Sequence, residues 1–307
     1  MVMEIRHINL TTQLNNNQRV ACIGYFDGLH LGHQQLIQET LRVAKEKGCI
    51  ASLITFDPDP WITIGKIKSA AHITPLPQRL VLAQYFGLDE VLILDFSQDI
   101  AGLNIDDFEL LLLNQGIKSL IVGFDFSYGA KGKGNVETLK ANNRFDLHVV
   151  TAYQDALGKV SSTRIDQALL DGNIDLANQL LGYPFFVQGT VIHGKQVGRE
   201  LGFPTANVQV ADDQLLPSNG VYAAKVYVNG KYYQSMINIG HNPTCNYVRN
   251  LSLEAHIFDF NESIYDQPIS LVFYHKIRNE IKFKGKEQLI DQLCNDKLAI
   301  KVYFNGK

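Results

Sequence analysis

Apolar and polar residues alternate along the first half of the chain in a pattern that predicts strands separated by helices. The apolar runs lie at 20–24, 50–55, 90–95, 119–123 and 147–151. The stretches with helical spacing lie between them, at 34–47, 78–87, 106–115 and 135–143. This alternation is typical of a parallel sheet with crossover helices, an α/β fold. Ligands of such sheets bind beyond the carboxyl ends of the strands, so a site is expected in the loops there.

The pattern changes near residue 183. A helical stretch at about 162–181 ends the first half, and short strand-like runs then follow at 186–193, 220–228, 232–239, 251–258 and 268–276. Asn229-Gly230 is a hairpin-turn signal between two of these runs. Helical spacing returns only at 286–295. We therefore predict two domains, 1–182 and 183–307, of which the second is a small antiparallel β-barrel with a terminal helix.

The composition of the chain argues against some classes of binding partner. The 307 residues are 46% hydrophobic and 19% charged with a net charge of −3, which gives no basic field for nucleic acid or an anionic membrane. No apolar run reaches the ~18 residues of a membrane span, and residues 1–12 contain no signal core. The scattered cysteines indicate reduced thiols: Cys22, Cys49, Cys245 and Cys294. We expect a cytoplasmic protein that binds small molecules, and its oligomeric state is left open.

The string GYFDGLHLGH at 24–33 follows an apolar run and begins a helical pattern. His30 and His33 are spaced i, i+3 and share one helix face. The free N–H groups of a helix start favour anions. Two imidazoles beside them suit a nucleoside triphosphate that loses pyrophosphate, a reaction that needs positioning and charge stabilisation. A turn with incidental histidines is the alternative, which the full string in its strand–turn–helix context disfavours.

This string resembles the nucleotidyltransferase superfamily, and its F-D-G-L-H-L-G-H-Q version resembles the first domain of prokaryotic riboflavin kinase/FAD synthetases. The resemblance implies a Rossmann-like parallel sheet in the first domain. It also implies that His30 and His33 stabilise charge on the α-phosphoryl group of ATP. The nucleotide contacts implied in the same turn are Gly24, Phe26, Asp27, Gly28 and Gly32.

Two further loops of the first half match the family. The glycine- and lysine-rich loop 123–134 is not a Walker A loop, because Asn135 stands where lysine is needed. It matches the pattern G-x-D-F-x-[FY]-G, which implies that Asp125 contacts nucleotide or flavin. The second loop is a hydroxyl-rich helix start. There the resemblance implies phosphate contacts from Ser162 and Thr163 and from nearby Arg164.

Two positions depart from the family pattern. Asp59 stands where the family usually has histidine, and Asp166 stands at the arginine of S-S-T-x-x-R. A lost charge-assisted hydrogen bond costs roughly 1.5–3 kcal/mol, and a carboxylate also repels phosphate. An inactive first domain beside an active kinase therefore stays open as an alternative.

The second half has its own signature in GTVIHGKQVGRELGFPTAN at 189–207. Gly194, Gly198 and Gly202 allow the backbone to approach a ligand closely. Thr205 and Asn207 offer hard oxygens that suit Mg²⁺ holding phosphates. P-T-A-N alone is compatible with an ordinary strand-edge loop, but the whole glycine spacing resembles the riboflavin kinase domain. That resemblance implies a six-stranded antiparallel barrel.

More family segments follow in order. Residues 217–223 resemble P-x-x-G-V-Y-A, and residues 238–244 resemble N-I-G-x-R-P-T with Asn242 in place of the arginine. The resemblance implies that Glu254 is the general base of the kinase. It implies that Arg278 and Glu280, in the segment R-x-E-x-K-F, lie beside the flavin.

The complete set predicts a bifunctional flavin enzyme. With Mg²⁺ and ATP it would phosphorylate riboflavin to FMN, and with a second ATP it would adenylylate FMN to FAD. The alternatives are a riboflavin kinase with a degenerate adenylyltransferase domain, a flavin or nucleotide sensor without turnover, and a nucleotidyltransferase for another acceptor. The kinase motifs disfavour the last two.

Overall fold

The computed structural model describes residues 2–15, 17–194, 198, 201–241 and 251–306. Asn242 and the P-T that follows it in the predicted N-I-G-x-R-P-T motif lie outside the described residues, as does Cys245. The chain forms two compact units, residues 1–161 and 162–307. Within the described part, no helix is both long and apolar enough to cross a bilayer.

A six-stranded parallel sheet forms the centre of the first unit. Its strands are β1 (Glu4–Ile8), β2 (Arg19–Ile23), β3 (Ile50–Asp57), β4 (Glu90–Asp95), β5 (Ile117–Gly123) and β8 (Asp146–Val150). They are ordered β1-β4-β3-β2-β5-β8, and every adjacent pair is parallel. The chain leaves β2 toward β3 on one side, and β5 returns on the other side. This reversal leaves a crevice beyond the carboxyl ends of β2 and β5, where such sheets bind ligands.

Helices connect these strands. They are α1 (Leu31–Lys47), α2 (Pro60–Thr63), α3 (Leu76–Tyr85), α4 (Gln98–Ala101), α5 (Ile105–Asn114) and α6 (Val136–Asn142). Two-residue ladders complete the unit: β6 (Ser127–Tyr128) with β7 (Gly134–Asn135), and β9 (Gln154–Asp155) with β10 (Gly158–Lys159). The sheet core is aliphatic, with Ile23, Ile54, Leu92 and Leu120 almost fully buried.

The second unit is a closed antiparallel barrel preceded and followed by helices. The barrel strands are β11 (Phe186–Ile192), β12 (Ala206–Val210), β13 (Gly220–Val228), β14 (Lys231–His241), β15 (Leu251–Ile257) and β16 (Pro268–Arg278). The strands close in the order β11-β12-β15-β14-β13-β16. The helices are α7 (Ser162–Leu170), α8 (Ile174–Leu181) and the terminal α9 (Lys286–Asn305).

The predicted fold class is confirmed. Each strand and helix predicted in the first half is present within a few residues, and Asn229-Gly230 forms the turn between β13 and β14. The pattern missed β1, an edge strand with mostly exposed side chains, and β12, a strand of five residues with only one buried side chain. It also ended the last helix ten residues early, at 295 instead of 305, although the missed half contains both buried residues of α9, Asp296 and Ile300.

The helices α7 and α8 belong to the second unit. Asn178 in α8 donates from Nδ2 to the Phe273 carbonyl at 3.0 Å, and its Oδ1 accepts from the Phe185 amide at 2.7 Å. The Ser218 amide donates to the Leu169 carbonyl at 3.0 Å. Ile174, Ala177, Leu180 and Leu181 are buried on the inner face of α8. The unit therefore begins about twenty residues before the domain boundary that the sequence predicts.

These contacts predict a stability difference between two fragments. Residues 162–307 should unfold at a temperature about 10 °C or more above that of residues 183–307, because the shorter fragment loses several buried aliphatic side chains, each worth roughly 1.5–3 kcal/mol. Thermal unfolding followed by circular dichroism checks this. Equal midpoints would show that α7 and α8 add no stability and would favour a boundary at 182.

Candidate active sites

The turn after β2 brings His30 and His33 together at the start of α1. Their rings stack with centroids 3.7 Å apart and 16° between the planes, and Phe26 meets the His33 ring edge-on at 5.1 Å. The His33 amide donates to Nδ1 of His30 at 3.3 Å, so His30 caps the helix with its own side chain. A Cβ on Gly32 would lie 3.2 Å from the His30 ring, which explains the glycine.

Burial makes both imidazoles weak bases. It lowers the pKa of His30 to about 4, with a further contribution from the charge of Lys159. Burial likewise holds the pKa of His33 well below its usual range, and the neighbouring His30, Arg79 and Lys159 add to this effect. Both rings are therefore neutral at pH 7. Nδ1 of His33 is buried without a hydrogen-bond partner among the described residues. This nitrogen can therefore still form a hydrogen bond beside the helix start.

Asp27 organises the turn from within. Its carboxylate accepts from the amides of Ile73 and Thr74 at 3.1 and 2.8 Å. The Thr74 hydroxyl in turn accepts from the Gly28 amide at 2.7 Å. Phe26, Gly28 and Leu29 have φ values of 60°, 80° and 35°, so the turn uses positive φ at three positions. The structure thus gives Asp27 a backbone-fixing role, and the nucleotide contact that the family resemblance implies for it stays a prediction.

The departure at Asp59 has a structural explanation. Asp59 is buried, and its carboxylate accepts from the Trp61 amide at 2.6 Å as the N-cap of α2. It lies beside the Tyr25 hydroxyl, whose pKa is raised mainly by burial. The buried Arg79 guanidinium covers the Tyr25 ring at 4.4 Å and donates to Thr55 Oγ1 at 2.8 Å. A cation that the sequence pattern did not single out therefore shares this environment with the acid.

The glycine-rich loop after β5 places Asp125 against Lys159. The two form an ion pair, and the Lys159 ammonium also lies over the Phe124 ring at 5.0 Å. Lys159 affects the pKa of both histidines, so its charge faces the helix start as well. Sequence analysis missed Lys159. Its position two residues before the S-S-T segment was the available signal.

Ser162 is the first residue of α7 in the second unit, and Thr163 follows it, so the predicted hydroxyl-rich helix start is present. Arg164 and Asp166 lie two positions apart on that helix. Two residues correspond to about 200° of rotation, so their Cβ atoms face nearly opposite sides. Arg164 therefore does not occupy the helix face of the family's arginine.

A cavity of about 270 Å³ lies between the barrel strands and α9. Most of its walls are apolar, and they come from the strands, from α9 and from the loops beside them: Phe203, Val221, Met236, Ile281, Phe283, Leu289 and Leu293. Its polar side chains include Thr205, Asn238, Glu254, His256 and Arg278. A flat apolar ring with one polar end fits such a lining.

Strand pairing assembles the polar end of this cavity. β12 and β15 align Asn207 directly opposite Glu254. The Thr205 hydroxyl donates to Glu254 Oε2 at 3.3 Å. A Cβ on Gly194 would lie 2.1 Å from the Asn207 amide, and one on Gly198 would lie 2.4 Å from the Phe203 carbonyl, so both glycines are required by close contacts. Gly202 has a φ of 79° in the turn that follows.

The donors at this end fit Mg²⁺, which prefers hard oxygens and retains waters and phosphate oxygens. Thr205 Oγ1 and Asn207 Oδ1 lie on one face of the same strand segment because their spacing is two. Across the described ranges, no group of three or more His, Cys, Asp or Glu side chains could hold a metal without such help. The site therefore fits a cation that arrives with its nucleotide.

Arg278 and Glu280 reach the cavity with most of their polar atoms engaged. Arg278 forms a bidentate ion pair with buried Asp296 of α9, with Nη2 2.8 Å from Oδ2, and its Nη1 donates to the Asn279 carbonyl. Glu280 accepts from Asn219 Nδ2 at 2.9 Å. Arg278 thus fixes the helix that supplies part of the apolar wall. The direct flavin contacts implied for both residues stay predictions.

A second, more open cavity of about 430 Å³ lies beside the first. It is lined by β12, β15 and the segment from Phe260 to Tyr265. Thr205 lines both cavities, whereas β15 contributes Glu254 to the first and Ala255, on its other face, to the second. Sequence analysis did not identify this second cavity, because residues 260–265 carry no motif.

Together these features define a nucleotide-dependent transferase with a histidine-containing site on a parallel sheet and a carboxylate-containing site in a barrel. The riboflavin kinase family model matches residues 181–304, and the FAD synthetase family model matches residues 12–164. The chain therefore belongs to the bifunctional riboflavin kinase/FMN adenylyltransferase family. The helical segment 165–180 lies outside both matches.

Individual relatives agree over the full length. The bifunctional riboflavin kinase/FMN adenylyltransferase of Listeria monocytogenes is 38% identical over 304 residues, 98% of this chain and 97% of the relative. That of Bacillus subtilis is 36% identical over 310 residues, 99% and 98% of the two chains. A crystal structure titled macrolide-efflux protein, from Streptococcus pneumoniae, has a TM-score of 0.90 and 33% identity, covering 97% and 99%. This structural match shows that the two chains share a fold over nearly their whole lengths.

The buried histidine pair predicts a pH dependence. The pKa of His30 is about 4 in the folded protein and ~6.5 in the unfolded chain, so the unfolded state binds more protons between these values. Stability should therefore fall as pH falls from ~6.5 to ~4, and the His30 NMR signal should stay that of a neutral ring above pH 5. A titration of folded His30 near 6.5, the value expected in urea, would contradict this.

Proposed function

We propose that the second unit phosphorylates the 5′-hydroxyl of riboflavin with Mg-ATP, and that the first unit transfers AMP from ATP to the FMN produced. The observation that carries the kinase assignment is the Thr205–Glu254 contact at the polar end of an apolar cavity. Family membership over the whole chain supports the pairing of both reactions. FAD and pyrophosphate are the final products.

In the kinase reaction Glu254 accepts the proton of the 5′-hydroxyl while the hydroxyl oxygen forms its bond to the γ-phosphorus of ATP. The bond to the ADP oxygen breaks in the same step. The isoalloxazine ring occupies the apolar part of the cavity between the barrel and α9. Thr205 and Asn207 would hold a magnesium ion, which would supply charge neutralisation for the phosphates.

The second cavity is our candidate for the nucleotide. It meets the flavin cavity at Thr205, which would place the γ-phosphate beside the reacting hydroxyl. Gly194 and Gly198 belong to the loop that precedes β12, where close packing requires glycine. The backbone of that loop would cover the phosphates.

In the adenylyl transfer, an oxygen of the FMN phosphate bonds to the α-phosphorus of ATP and pyrophosphate leaves. His30 and His33 are neutral before ATP binds, so they serve as N–H donors to the α-phosphoryl oxygens rather than as preformed cations. Lys159 supplies the positive charge that faces them. Gly24, Gly28 and Gly32 keep the turn narrow enough for the phosphates to approach.

We also propose that both reactions occur in the cytoplasm, with ATP and flavins as small-molecule partners. The free thiols Cys22, Cys49 and Cys294 support a reducing compartment. A sensor without turnover is disfavoured by the assembled Glu254 and Thr205. An inactive first unit is the alternative that the experiments below separate from the bifunctional enzyme.

Replacing Glu254 by Gln should slow FMN formation by about 10²- to 10⁴-fold, because a positioned general base contributes that much. Riboflavin should still bind, since the amide has the shape of the carboxylate. Steady-state kinetics of FMN formation and fluorescence titration of riboflavin measure the two effects.

Glu280→Gln is the matched control in the same cavity. It keeps an acceptor for Asn219 and should change kcat only a few-fold, because Glu280 is not paired with Thr205. Wild-type kcat in Glu254→Gln, or an equal loss in both variants, would remove Glu254 from the base role.

Replacing His30 by Asn should lower FAD formation from FMN by about 10²- to 10³-fold, because one donor to the developing charge is lost. Asparagine is itself a good N-cap, so the start of α1 should persist. FMN formation by the other unit is the internal control and should be unchanged. No FAD formation in the wild type would instead favour the kinase-only alternative.

A further inference from the structure

His256 is a buried side chain in the kinase cavity to which the reaction described above gives no role. It lies on β15 two residues after Glu254, so both side chains are on the same face of the strand. Only 6% of His256 is exposed, and its ring lines the 270 Å³ cavity together with Thr205. Phe203 and Phe258 pack against the ring with centroids at 5.2 and 5.5 Å, which fixes its plane.

Hydrogen bonding determines which nitrogen carries the proton. Nδ1 of His256 lies 2.8 Å from the Pro204 carbonyl, which can only accept, so Nδ1 is protonated. Burial lowers the pKa of this imidazole, so the ring is neutral at pH 7 and Nε2 presents a lone pair. Nε2 is buried and has no donor among the residues that the structure describes.

The cavity's strongest protein donor is engaged elsewhere. The nitrogens of Arg278 donate to Asp296 and to the Asn279 carbonyl. A buried acceptor without a donor is unfavourable. A ligand hydroxyl in the cavity would supply the missing donor.

The distance between residues 254 and 256 along the strand indicates which part of riboflavin would reach His256. Residues 254 and 256 are separated by about 7 Å of strand. If Glu254 meets the terminal hydroxyl, an extended ribityl chain covers that separation with its secondary hydroxyls. The N–H group of the isoalloxazine ring lies at the far end of the molecule, well beyond it.

We propose that His256 is a positioning residue of the kinase site: its Nδ1–H holds the Pro204 carbonyl next to Thr205, and its Nε2 accepts a hydrogen bond from a secondary ribityl hydroxyl of riboflavin. One ring thus links the flavin to the segment that carries Thr205. This inference rests on the proposed kinase function. It adds recognition of the sugar-like chain, as distinct from the flavin ring.

Two substitutions in the full-length protein separate the two contacts. In His256→Asn the amide nitrogen replaces Nδ1 and keeps the bond to Pro204, but the acceptor at Nε2 is lost. In His256→Gln the longer amide reaches the Nε2 position and the bond to Pro204 is lost. Asn should raise the KM for riboflavin about 5- to 10-fold with the KM for Mg-ATP unchanged. Gln should retain riboflavin affinity and lower kcat.

Lumiflavin, which has the ring system without the ribityl chain, is the probe that distinguishes the contact. Its inhibition constant should be the same for His256→Asn and for wild type. FAD formation from FMN by the first unit serves as the folding control. Riboflavin binding unchanged in His256→Asn, or riboflavin and lumiflavin weakened equally, would overturn the proposal. A wild type that makes no FMN would instead refute the kinase function.

A measurement on the unaltered protein completes the test. In protein labelled with ¹⁵N-histidine, the unprotonated Nε2 resonance of His256 should move toward a hydrogen-bonded value when riboflavin is added. Lumiflavin should leave it in place. An Nε2 resonance that does not move with riboflavin, or that moves equally with lumiflavin, would contradict the ribityl contact even if the variants fail to fold.

Discussion

One short strand pair closes the barrel, and both cavities of the second unit depend on it. β12 and β15 align Asn207 with Glu254. Directly opposed residues of an antiparallel pair hold their Cβ atoms about 4.5–5.5 Å apart, so this register alone brings the amide to the carboxylate. A slip of one residue would turn one partner's side chains to the opposite face. Barrel closure therefore also brings together the side chains of the proposed kinase site.

The folds of the two units offer different groups to a phosphate-bearing substrate. The barrel supplies side-chain oxygens at Thr205, Asn207 and Glu254, which suit a cation that travels with its nucleotide. The parallel sheet supplies a helix start, whose N–H groups already favour an anion. Burial keeps His30 and His33 neutral there. An incoming triphosphate would raise the pKa of both rings, because a nearby negative charge favours the imidazolium form.

Sequence analysis predicted the structural features that follow from the local residue pattern. It missed the features that depend on contacts between residues far apart in the chain. Strand–helix alternation and the change of pattern near residue 183 predicted the fold class, while the site residues taken from the motifs stay predictions. The hydrophobic pattern could not reveal β12, which has only five residues, or Lys159, whose ion pair with Asp125 spans 34 positions. Arg278 was assigned by its motif, yet its guanidinium is paired with Asp296. A motif thus predicts that a residue belongs to a site, but it does not show which atoms of its side chain remain free to bind a ligand.

Asp59 bears on whether the first unit is active. An acid in place of a histidine removes a donor and adds a negative charge, which argues against adenylyl transfer if the carboxylate faces the phosphates. In the structure, that carboxylate caps α2 through the Trp61 amide, and its other close neighbour is the Tyr25 hydroxyl. Arg79 lies on the same tyrosine and is itself buried. The carboxylate is thus engaged with a helix start, and a buried guanidinium lies on the same tyrosine ring. This arrangement is compatible with the adenylyl transfer proposed above, because the Asp59 carboxylate already accepts a hydrogen bond within the protein.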